Sequence, residues 1–392
     1  MRILFINVVC GIRSTGRICT DLATALESKG HEVKIAYGRE LVPEQFKKYS
    51  VKIGSDFDVK MHGVKARLFD ACGFGSKKAT VKFINWVKDF NPDVIHLHNI
   101  HGYYINIEIL FNYLRTCGKK IIWTLHDCWA FTGHAAYCES AACERWLSGC
   151  YNCKKRREYP SSLIDRSKSN WKKKEKVFSD VPNLLIATPS EWLAKLVKKS
   201  FLREYTINVI HNGVDLSVFK PLQRNEYYSK YNLKGKKVIL GIAALWEERK
   251  GLNDFLQLFD LLNSDYQIVL VGLSKDQIER LPAGIIGIAR TNSTEQLVQL
   301  YNLADVFINP TYEDNYPTAN IEAIACGTPV ITYNTGGSPE SAQLFGSVVD
   351  KGNVKQLFEA IKRMIGSENK DVDLNLIDKE TAVNSYLELI ES

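Results

Sequence analysis

The chain is short of several things, and each shortage removes a class of protein. No apolar run reaches the roughly 18–20 residues that a bilayer-spanning helix needs. The opening stretch, MRILFINVV, is too short for a secretory leader, and no small-residue cleavage site follows it. A buried first strand and a cytosolic setting are therefore expected. Internal repeats and low-complexity tracts are missing, which excludes a solenoid or a disordered tail. There is neither a GK[ST] P-loop nor a G-x-G-x-x-G fingerprint, so the two commonest nucleotide signatures are excluded. The ten cysteines are spread along 392 residues and do not read as a secreted disulfide framework. Cys10, Cys19, Cys72 and Cys326 sit in apolar stretches, where a thiol acts as a small hydrophobe.

What is present fits an ordinary globular protein of two domains. The hydrophobic fraction is 45% and the charged fraction 24%. The net charge of +7 is unevenly placed. Residues 1–212 hold 34 Lys and Arg against 20 Asp and Glu, whereas residues 213–392 hold 17 against 24. The excess peaks in residues 151–200, with 13 basic against 5 acidic side chains. A basic half suits an anionic partner such as a membrane surface, a pyrophosphate-bearing lipid or a nucleic acid. The plainer reading of KKKEK at 172–176 is one solvated helix face.

Both halves alternate short apolar runs with helical spacing, the pattern of parallel α/β sheets. Strands are expected at Ile3–Val9, Glu32–Ala36, Val94–His98, Lys120–Leu125, Leu184–Thr188 and Ile207–His211. A second set is expected at Val238–Ala243, Gln267–Val271, Gly284–Ile288, Val306–Asn309, Val330–Tyr333 and Ser347–Val349. Helices are expected over Thr15–Lys29, Leu252–Leu262, Thr294–Tyr301, Thr318–Cys326, Val354–Ile365 and Lys379–Glu391. Ser293 or Thr294 is the expected N-cap of the third of these. Domains are expected over 1–212 and 213–375, with a C-terminal helix in 376–392 that packs back on the first domain. The join falls near the polar run QRNEYYSKYN. Two doubly wound sheets place ligands in a crevice at the carboxyl ends of their strands.

Five motifs stand at such places. In EDNYPTANIE, Asp314 and Glu322 have seven residues between them and flank a helix start marked by Pro317. Helix N–H groups there suit a pyrophosphate, and the carboxylates suit sugar hydroxyls. ERKG, Glu248–Gly251, closes a strand and brings Arg249 and Lys250 to a helix start. STGR, at 14–17, puts Gly16 and Arg17 after the first strand, where a backbone can approach phosphate. TLHD, Thr124–Asp127, places His126 at a strand end. The fifth motif is Cys138, Cys143, Cys150 and Cys153, four thiols within sixteen residues. That spacing fits a structural zinc site, with redox-active or simply free thiols as the alternatives.

The segment Glu313–Pro329 resembles the carboxylate–seven–carboxylate motif of the retaining GT-B glycosyltransferases of family 4, and the likeness extends from the N-terminus to about residue 365. The resemblance implies two Rossmann-like domains facing a cleft, in an enzyme of hexosyltransferase type. It implies a UDP- or GDP-sugar donor and a glycan or lipid-linked acceptor, with retention of configuration, in bacterial surface polysaccharide assembly. It assigns the transferred sugar to Asp314, or to Glu313 beside it, and the ribose to Glu322, with Asn320 between them. Lys250 and Arg249 would meet the pyrophosphate, Gly16 and Arg17 would border it, and His126 would touch the donor sugar. The usual arginine five or six residues before the lysine is replaced here by Leu245 or Ala244. No catalytic metal is implied, so the D-x-D triplets Asp56–Asp58 and Asp371–Asp373 are read as surface acids. His211–Asp215 matches a junction signature and is read as structural. The basic 154–176 segment suits an anionic cytoplasmic leaflet. Two rivals remain: a sugar-nucleotide epimerase of the same fold, and a nucleic-acid-binding protein, which the acidic second half disfavours.

Overall fold

The computed structural model describes residues 1–223, 231, 233–366 and 372–392. Most of the polar run at 223–232 and Asp371 lie outside the described residues. The chain divides into two compact units, one of Met1–Ile210 with Val383–Ser392, the other of His211–Ala382.

The first unit is a seven-stranded parallel sheet in the order β3-β2-β1-β4-β5-β6-β7. Its strands are β1 (Arg2–Asn7), β2 (Glu32–Tyr37), β3 (Ser50–Lys52), β4 (Val94–Leu97), β5 (Lys120–Thr124), β6 (Leu184–Thr188) and β7 (Ile207–Val209). β1 and β4 are buried almost throughout, which is why they read as unbroken apolar runs. β3 was not expected, because three residues at a sheet edge leave no apolar run to detect. Helix α1 spans Arg13–Ser28 and turns Cys19, Leu22, Ala23 and Leu26 onto the sheet. Helices α2 (Asp56–Phe69) and α3 (Lys77–Phe90) follow β3. The C-terminal helix, Lys379–Glu391, buries Val383, Tyr386, Leu387 and Ile390 in the same core as Phe5, Leu22 and Ile122.

The second unit is a six-stranded parallel sheet in the order β10-β9-β8-β11-β12-β13. These strands are β8 (Lys237–Ile242), β9 (Tyr266–Val271), β10 (Ile285–Ile288), β11 (Val306–Asn309), β12 (Val330–Tyr333) and β13 (Gly346–Val349). Each sheet reverses its strand order once, between β1 and β4 and between β8 and β11. At such a reversal the two following loops diverge and leave room for a ligand at the strands' carboxyl ends. Ser293 caps the helix Thr294–Leu303 by accepting from the Gln296 N–H.

The basic segment differs from the expected solvated face. Lys174 is buried, donates to the Trp129 and Thr132 carbonyls at 2.7 and 3.1 Å, and lies 3.4 Å from the Trp129 ring centroid. Lys155 is also buried and pairs with Glu158 at 2.9 Å. The Lys174 ammonium is thus drawn inward by fixed carbonyl oxygens, while Lys154, Arg157, Arg166, Lys168, Lys172, Lys173 and Lys176 face solvent.

Candidate active site

At the β8/β11 reversal two motifs 64 residues apart are joined. The turn Glu248–Lys250 follows β8, and the Arg249 carbonyl accepts from the Tyr312 N–H at 2.7 Å and the Thr311 hydroxyl at 3.2 Å. The Arg249 guanidinium donates to the Glu313 carbonyl at 3.2 Å. Gly251 makes the approach possible: its φ is +73°, and a Cβ there would lie 2.2 Å from the Pro310 carbonyl oxygen. Gly336 acts likewise on the far side, where a Cβ would lie 1.9 Å from the Asp314 carbonyl oxygen.

The result is an ion pair, Lys250 Nζ to Asp314 Oδ2 at 2.6 Å, with both side chains partly exposed. Burial opposes the Asp314 charge, yet the Lys250 ammonium, with Arg249 and the Asn315 N–H, holds its carboxyl below the usual range. Glu313 is buried and sends its side chain away from solvent, so Asp314 is the more open of the two carboxylates. The helix Thr318–Ala325 starts just beyond, with Pro317 as its N-cap, one position earlier than first-turn proline would place it. Glu322 lies one turn inside, and one of its oxygens accepts from the Tyr301 hydroxyl at 2.9 Å.

Asn320 does not line this surface. It is fully buried; its Oδ1 accepts from Asn309 at 2.9 Å and its Nδ2 donates to the Ser341 and Ser338 hydroxyls at 3.0 and 3.2 Å. Its amide braces the helix against β11 and the helix Ser338–Ala342, a structural role that the motif alone conceals. Asp254, not foreseen from sequence, lies beneath the site, where its Oδ1 accepts from Tyr333 and Tyr312 at 2.9 and 3.0 Å, and burial pushes its carboxyl up. A carboxylate at a helix start offered a signal, but its two tyrosine partners are 58 and 79 residues away. His211 stacks on Tyr316 with centroids 4.7 Å apart, and Asn212 donates to the Tyr316 carbonyl at 3.2 Å. The junction signature thus packs against the loop that carries the site.

At the β1/β4 reversal the STGR segment is helical rather than a free turn. α1 starts at Arg13, Gly16 is buried in its first turn against Val9, and Arg17 is exposed. No side chain caps this helix. Asn7, at the end of β1, donates to the Val9 carbonyl at 2.8 Å and to Thr15, and accepts from the Asn99 N–H, fixing the β1 and β4 loops together.

His126 follows β5 and lies in a stack of imidazoles. Its Nε2 is 3.0 Å from His98 Nδ1, and His98 stacks on His96 at 4.3 Å between centroids. Burial lowers His126 to about 4 and His96 to about 3, so both are neutral at pH 7. Beside them, His101 donates from Nε2 to Asp127 Oδ2 at 2.9 Å, and its Nδ1 meets the Tyr159 hydroxyl at 3.0 Å. The H-L-H-N-I-H spacing of 96–101 was the available signal for these groups.

The four clustered cysteines are free thiols. Among the described residues no group of three or more His, Cys, Asp or Glu side chains is placed to hold a metal ion. The segment is pinned by hydrogen bonds: Arg145 donates to the Tyr151 and Asn152 carbonyls, Asp165 accepts from the Cys153 N–H, and Gly133 donates to Cys150 Sγ at 3.1 Å. Burial pushes the Cys150 and Cys153 thiols up to about 11. Asp56 pairs with Lys52 and Asp58 forms a capping box with Ser55, so the first D-x-D triplet serves a helix end.

Comparison with known proteins agrees with this geometry. The family model for Glycosyltransferase Family 4 matches residues 15–218, and that for Glycosyl transferases group 1 matches residues 223–379. An Escherichia coli (strain K12) protein assigned by name to colanic acid biosynthesis, glycosyl transferase WcaC, is 24% identical over 92% of this chain and 90% of its own. The Campylobacter jejuni N,N'-diacetylbacillosaminyl-diphospho-undecaprenol alpha-1,3-N-acetylgalactosaminyltransferase is 28% identical over 47% of this chain and 51% of its own. The crystal structure of Anabaena Alr3699/HepE in complex with UDP superposes with a TM-score of 0.69 at 14% identity, covering all of both chains. With its two Rossmann-like units in the GT-B fold, the chain belongs to glycosyltransferase family 4 and is a glycosyltransferase.

Proposed function

We propose that the chain transfers a sugar from a UDP- or GDP-sugar to a glycan or lipid-linked acceptor, with retention of configuration, in bacterial surface polysaccharide biosynthesis. The observation that carries this reading is the Lys250–Asp314 pair beside the Thr318 helix start, with Glu322 oriented by Tyr301. An ammonium held at a helix N-terminus is suited to the charge that develops on a departing nucleoside diphosphate. Asp314 keeps that ammonium in place before the donor arrives and offers its carboxylate to sugar hydroxyls. Glu322 is suited to a ribose diol. The leaving phosphate oxygen takes the acceptor proton, so no separate protein base is needed.

The UDP-bound Anabaena structure and the undecaprenol-linked substrate in the Campylobacter enzyme's name support the donor and acceptor classes. The first unit, with its neutral histidines and exposed basic residues of 154–176, is assigned the acceptor and an anionic membrane surface. A nucleic acid is not the partner in this reading. Thermal-shift screening against UDP- and GDP-sugars tests it, since a ligand that binds only the folded chain raises the melting temperature. A rise with one nucleotide sugar, lost in Glu322→Ala, is expected. No rise with any donor at millimolar concentration overturns the reading. Conversion of the donor without an acceptor would point to an epimerase instead.

A further inference from the structure

We propose that the loops following β1, β2, β4 and β5 of the first unit form a subsite for an anionic hexopyranoside, whose ring stacks on Tyr159 and whose acidic group is held by Arg39. The inference rests on the reading of a sugar acceptor in the first unit and deepens it, because it names the chemical class of that acceptor: a sugar bearing a phosphate or a carboxylate.

Close backbone approaches bring these loops together. The Val8 carbonyl, just past β1, accepts from the Gly38 and Arg39 N–H groups at 3.2 and 3.0 Å, which ties the β2 loop to the β1 loop. The β4 loop packs on the same place, since a Cβ on Gly38 would lie 2.0 Å from the Tyr104 Cβ. Gly102 has a φ of +110°, and a Cβ on it would lie 2.5 Å from Val8 Cγ2 and 3.9 Å from the Tyr159 hydroxyl oxygen. Tyr103 beside it is held at a φ of +72°. For an aromatic residue that is an outlier, sustained only where the surrounding packing over-determines it, and such residues gather at ligand sites.

The Tyr159 ring is presented by its own hydroxyl. Burial opposes the Asp127 charge, yet His101 and the Trp129 N–H hold its carboxyl below the usual range, so it only accepts hydrogen bonds. His101 therefore carries a proton on Nε2, 2.9 Å from Asp127 Oδ2, and in the neutral ring Nδ1 keeps only a lone pair. The Tyr159 hydroxyl, 3.0 Å from that Nδ1, must then donate to it. The chain of bonds fixes the tip of a side chain that is nonetheless 45% exposed. A tyrosine anchored at its polar end with its ring left open is a preorganised stacking platform. The Tyr103 ring stands edge-on to it, with centroids 6.1 Å apart.

Charge decides what lies on the platform. The Arg39 guanidinium is 5.9 Å from the Tyr103 ring centroid. Its neighbour Glu40 is engaged by Arg13 at 2.5 Å, and among the described residues no carboxylate pairs with Arg39. The Tyr103 hydroxyl likewise makes no hydrogen bond to a described residue. An uncompensated guanidinium offers a fork of donors to an oxyanion, and the hydroxyl beside it adds one more. A neutral sugar would use the platform and leave the guanidinium idle. A sugar with an oxyanion uses both. Two sources supply that chemistry: the phosphate end of a lipid-linked sugar and the carboxylate of an acidic glycan.

Saturation-transfer NMR on the full chain tests the proposal, with hexose 1-phosphates, hexuronates and the matching methyl hexosides as probes, each measured without nucleotide and with saturating UDP or GDP. A phosphate or uronate probe is expected to bind about tenfold tighter than the methyl hexoside of the same sugar, and to stay bound when the nucleoside diphosphate is added. Preference for the phosphates identifies a glycosyl phosphate as the source, and preference for the uronates an acidic glycan. Arg39→Gln is expected to cut affinity for the charged probe about tenfold while leaving the methyl hexoside within about twofold. Tyr159→Ala should weaken charged and neutral probes alike, and Tyr159→Phe, which keeps the ring and loses the bond to His101, should weaken them less. Should Tyr159→Ala fail to fold, as its melting curve would show, Arg39→Gln decides alone. Absence of binding by every probe, equal affinity for charged and neutral probes, or full affinity in Arg39→Gln overturns the subsite. Displacement of the probe by the nucleoside diphosphate also overturns it, because the probe then occupies the donor site. The donor reading is judged separately by the Glu322-dependent melting shift, so each can fail while the other stands.

Discussion

At the β8/β11 reversal an ammonium and a carboxylate face each other as ions 2.6 Å apart, partly open to solvent. At the β1/β4 reversal, and along the β5 end next to it, burial keeps the His96 and His126 imidazoles uncharged, and the Asp127 carboxylate is held low by His101 against the cost of its own burial. The same topological position is therefore furnished in two electrostatic styles. A fixed charge is useful where a diphosphate must be bound and released. Neutral donors and acceptors are useful where a sugar hydroxyl must be held without stripping water from an ion. The comparison teaches that strand order decides where a site lies, and side-chain charge decides what it takes.

The sharpest break of that comparison is to discharge the second unit. Lys250→Ala is expected to lower turnover by about 10²–10³-fold, the usual loss when one preorganised charge on a developing anion is removed. Lys250→Arg should recover part of it, because the charge returns in a different shape. Glu322→Ala should act mainly on donor affinity. Lys250→Ala also leaves the largely buried Asp314 carboxylate without its ammonium, so a stability loss of about 1–3 kcal/mol is expected beside the loss of turnover, and Lys250→Arg should restore most of it. Steady-state kinetics with the donor found by thermal shift, alongside melting curves, checks all three. Near-normal turnover in Lys250→Ala would mean that the ion pair is only structural.

A second, smaller effect belongs to the first unit. Lys174 holds the Trp129 and Thr132 carbonyls just beyond His126, and burial lowers its ammonium to about 7. Lys174→Ala leaves two buried carbonyls without a donor and opens a cavity, at a cost of about 3 kcal/mol. The sign of the pH dependence follows from linkage. The folded state holds the lysine proton less tightly than the unfolded state, whose pKa is 10.5, so stability rises with pH between about 7 and 10.5. Burial also raises Cys72 to about 12, which pulls the other way above pH 9. The lysine contribution is therefore read from the difference between wild type and Lys174→Met in denaturant melts. Equal slopes in the two proteins would show that Lys174 stays charged inside.

How much of this was legible beforehand differs by element. β4, β6, β11 and β12 matched the expected runs closely because a buried parallel strand is apolar on both faces. α2 was not expected, because Val59 and Ala66 turn inward with His62 while Phe57, Met61, Val64 and Leu68 are exposed, so no single apolar stripe marks the helix. Lys174 was placed on a solvated face because sequence cannot show the two carbonyls that fix it. Of the site, Lys250, Asp314 and Glu322 were visible in their motifs. Their coupling through the Arg249 carbonyl was not, since it depends on Gly251 clearing Pro310. Asn320 belongs to the same motif yet serves the core. Motif membership identifies neighbours in sequence, whereas burial decides which of them meet a ligand.

The imidazole stack offers a third test. The folded pKa of His126 is about 4 against an ordinary 6.5. A lowered folded value means that its contribution is present above pH 6.5 and is lost as pH falls toward 4. Each such histidine adds a slope of up to about 1.4 kcal/mol per pH unit in that window. His126→Gln should flatten the acid limb of the stability curve by about that much, and an NMR titration of the wild type should show no His126 transition near 6.5. A normal transition there would remove the contrast between neutral and charged sites.

The smallest expected effect is also a control on the largest. Asp215 and Lys379 form an ion pair at 2.7 Å, almost the length of the Lys250–Asp314 pair, but away from the β11 loop. Burial opposes the Asp215 charge, yet Lys379 and Ser217 hold its carboxyl down to about 2. Stability from this pair is thus present above pH 3.8 and lost as pH falls through about 2. Both side chains are about a third exposed, so solvent screens most of the attraction. Asp215→Asn should cost about 0.5–1 kcal/mol at pH 7 and leave turnover unchanged. Two lysine–aspartate pairs of nearly equal length would then differ in turnover by orders of magnitude. That outcome ties the effect of Lys250 to its place at the strand reversal and not to the strength of its bond. If Asp215→Asn instead lowered turnover as far as Lys250→Ala, position at the reversal would not be what distinguishes them.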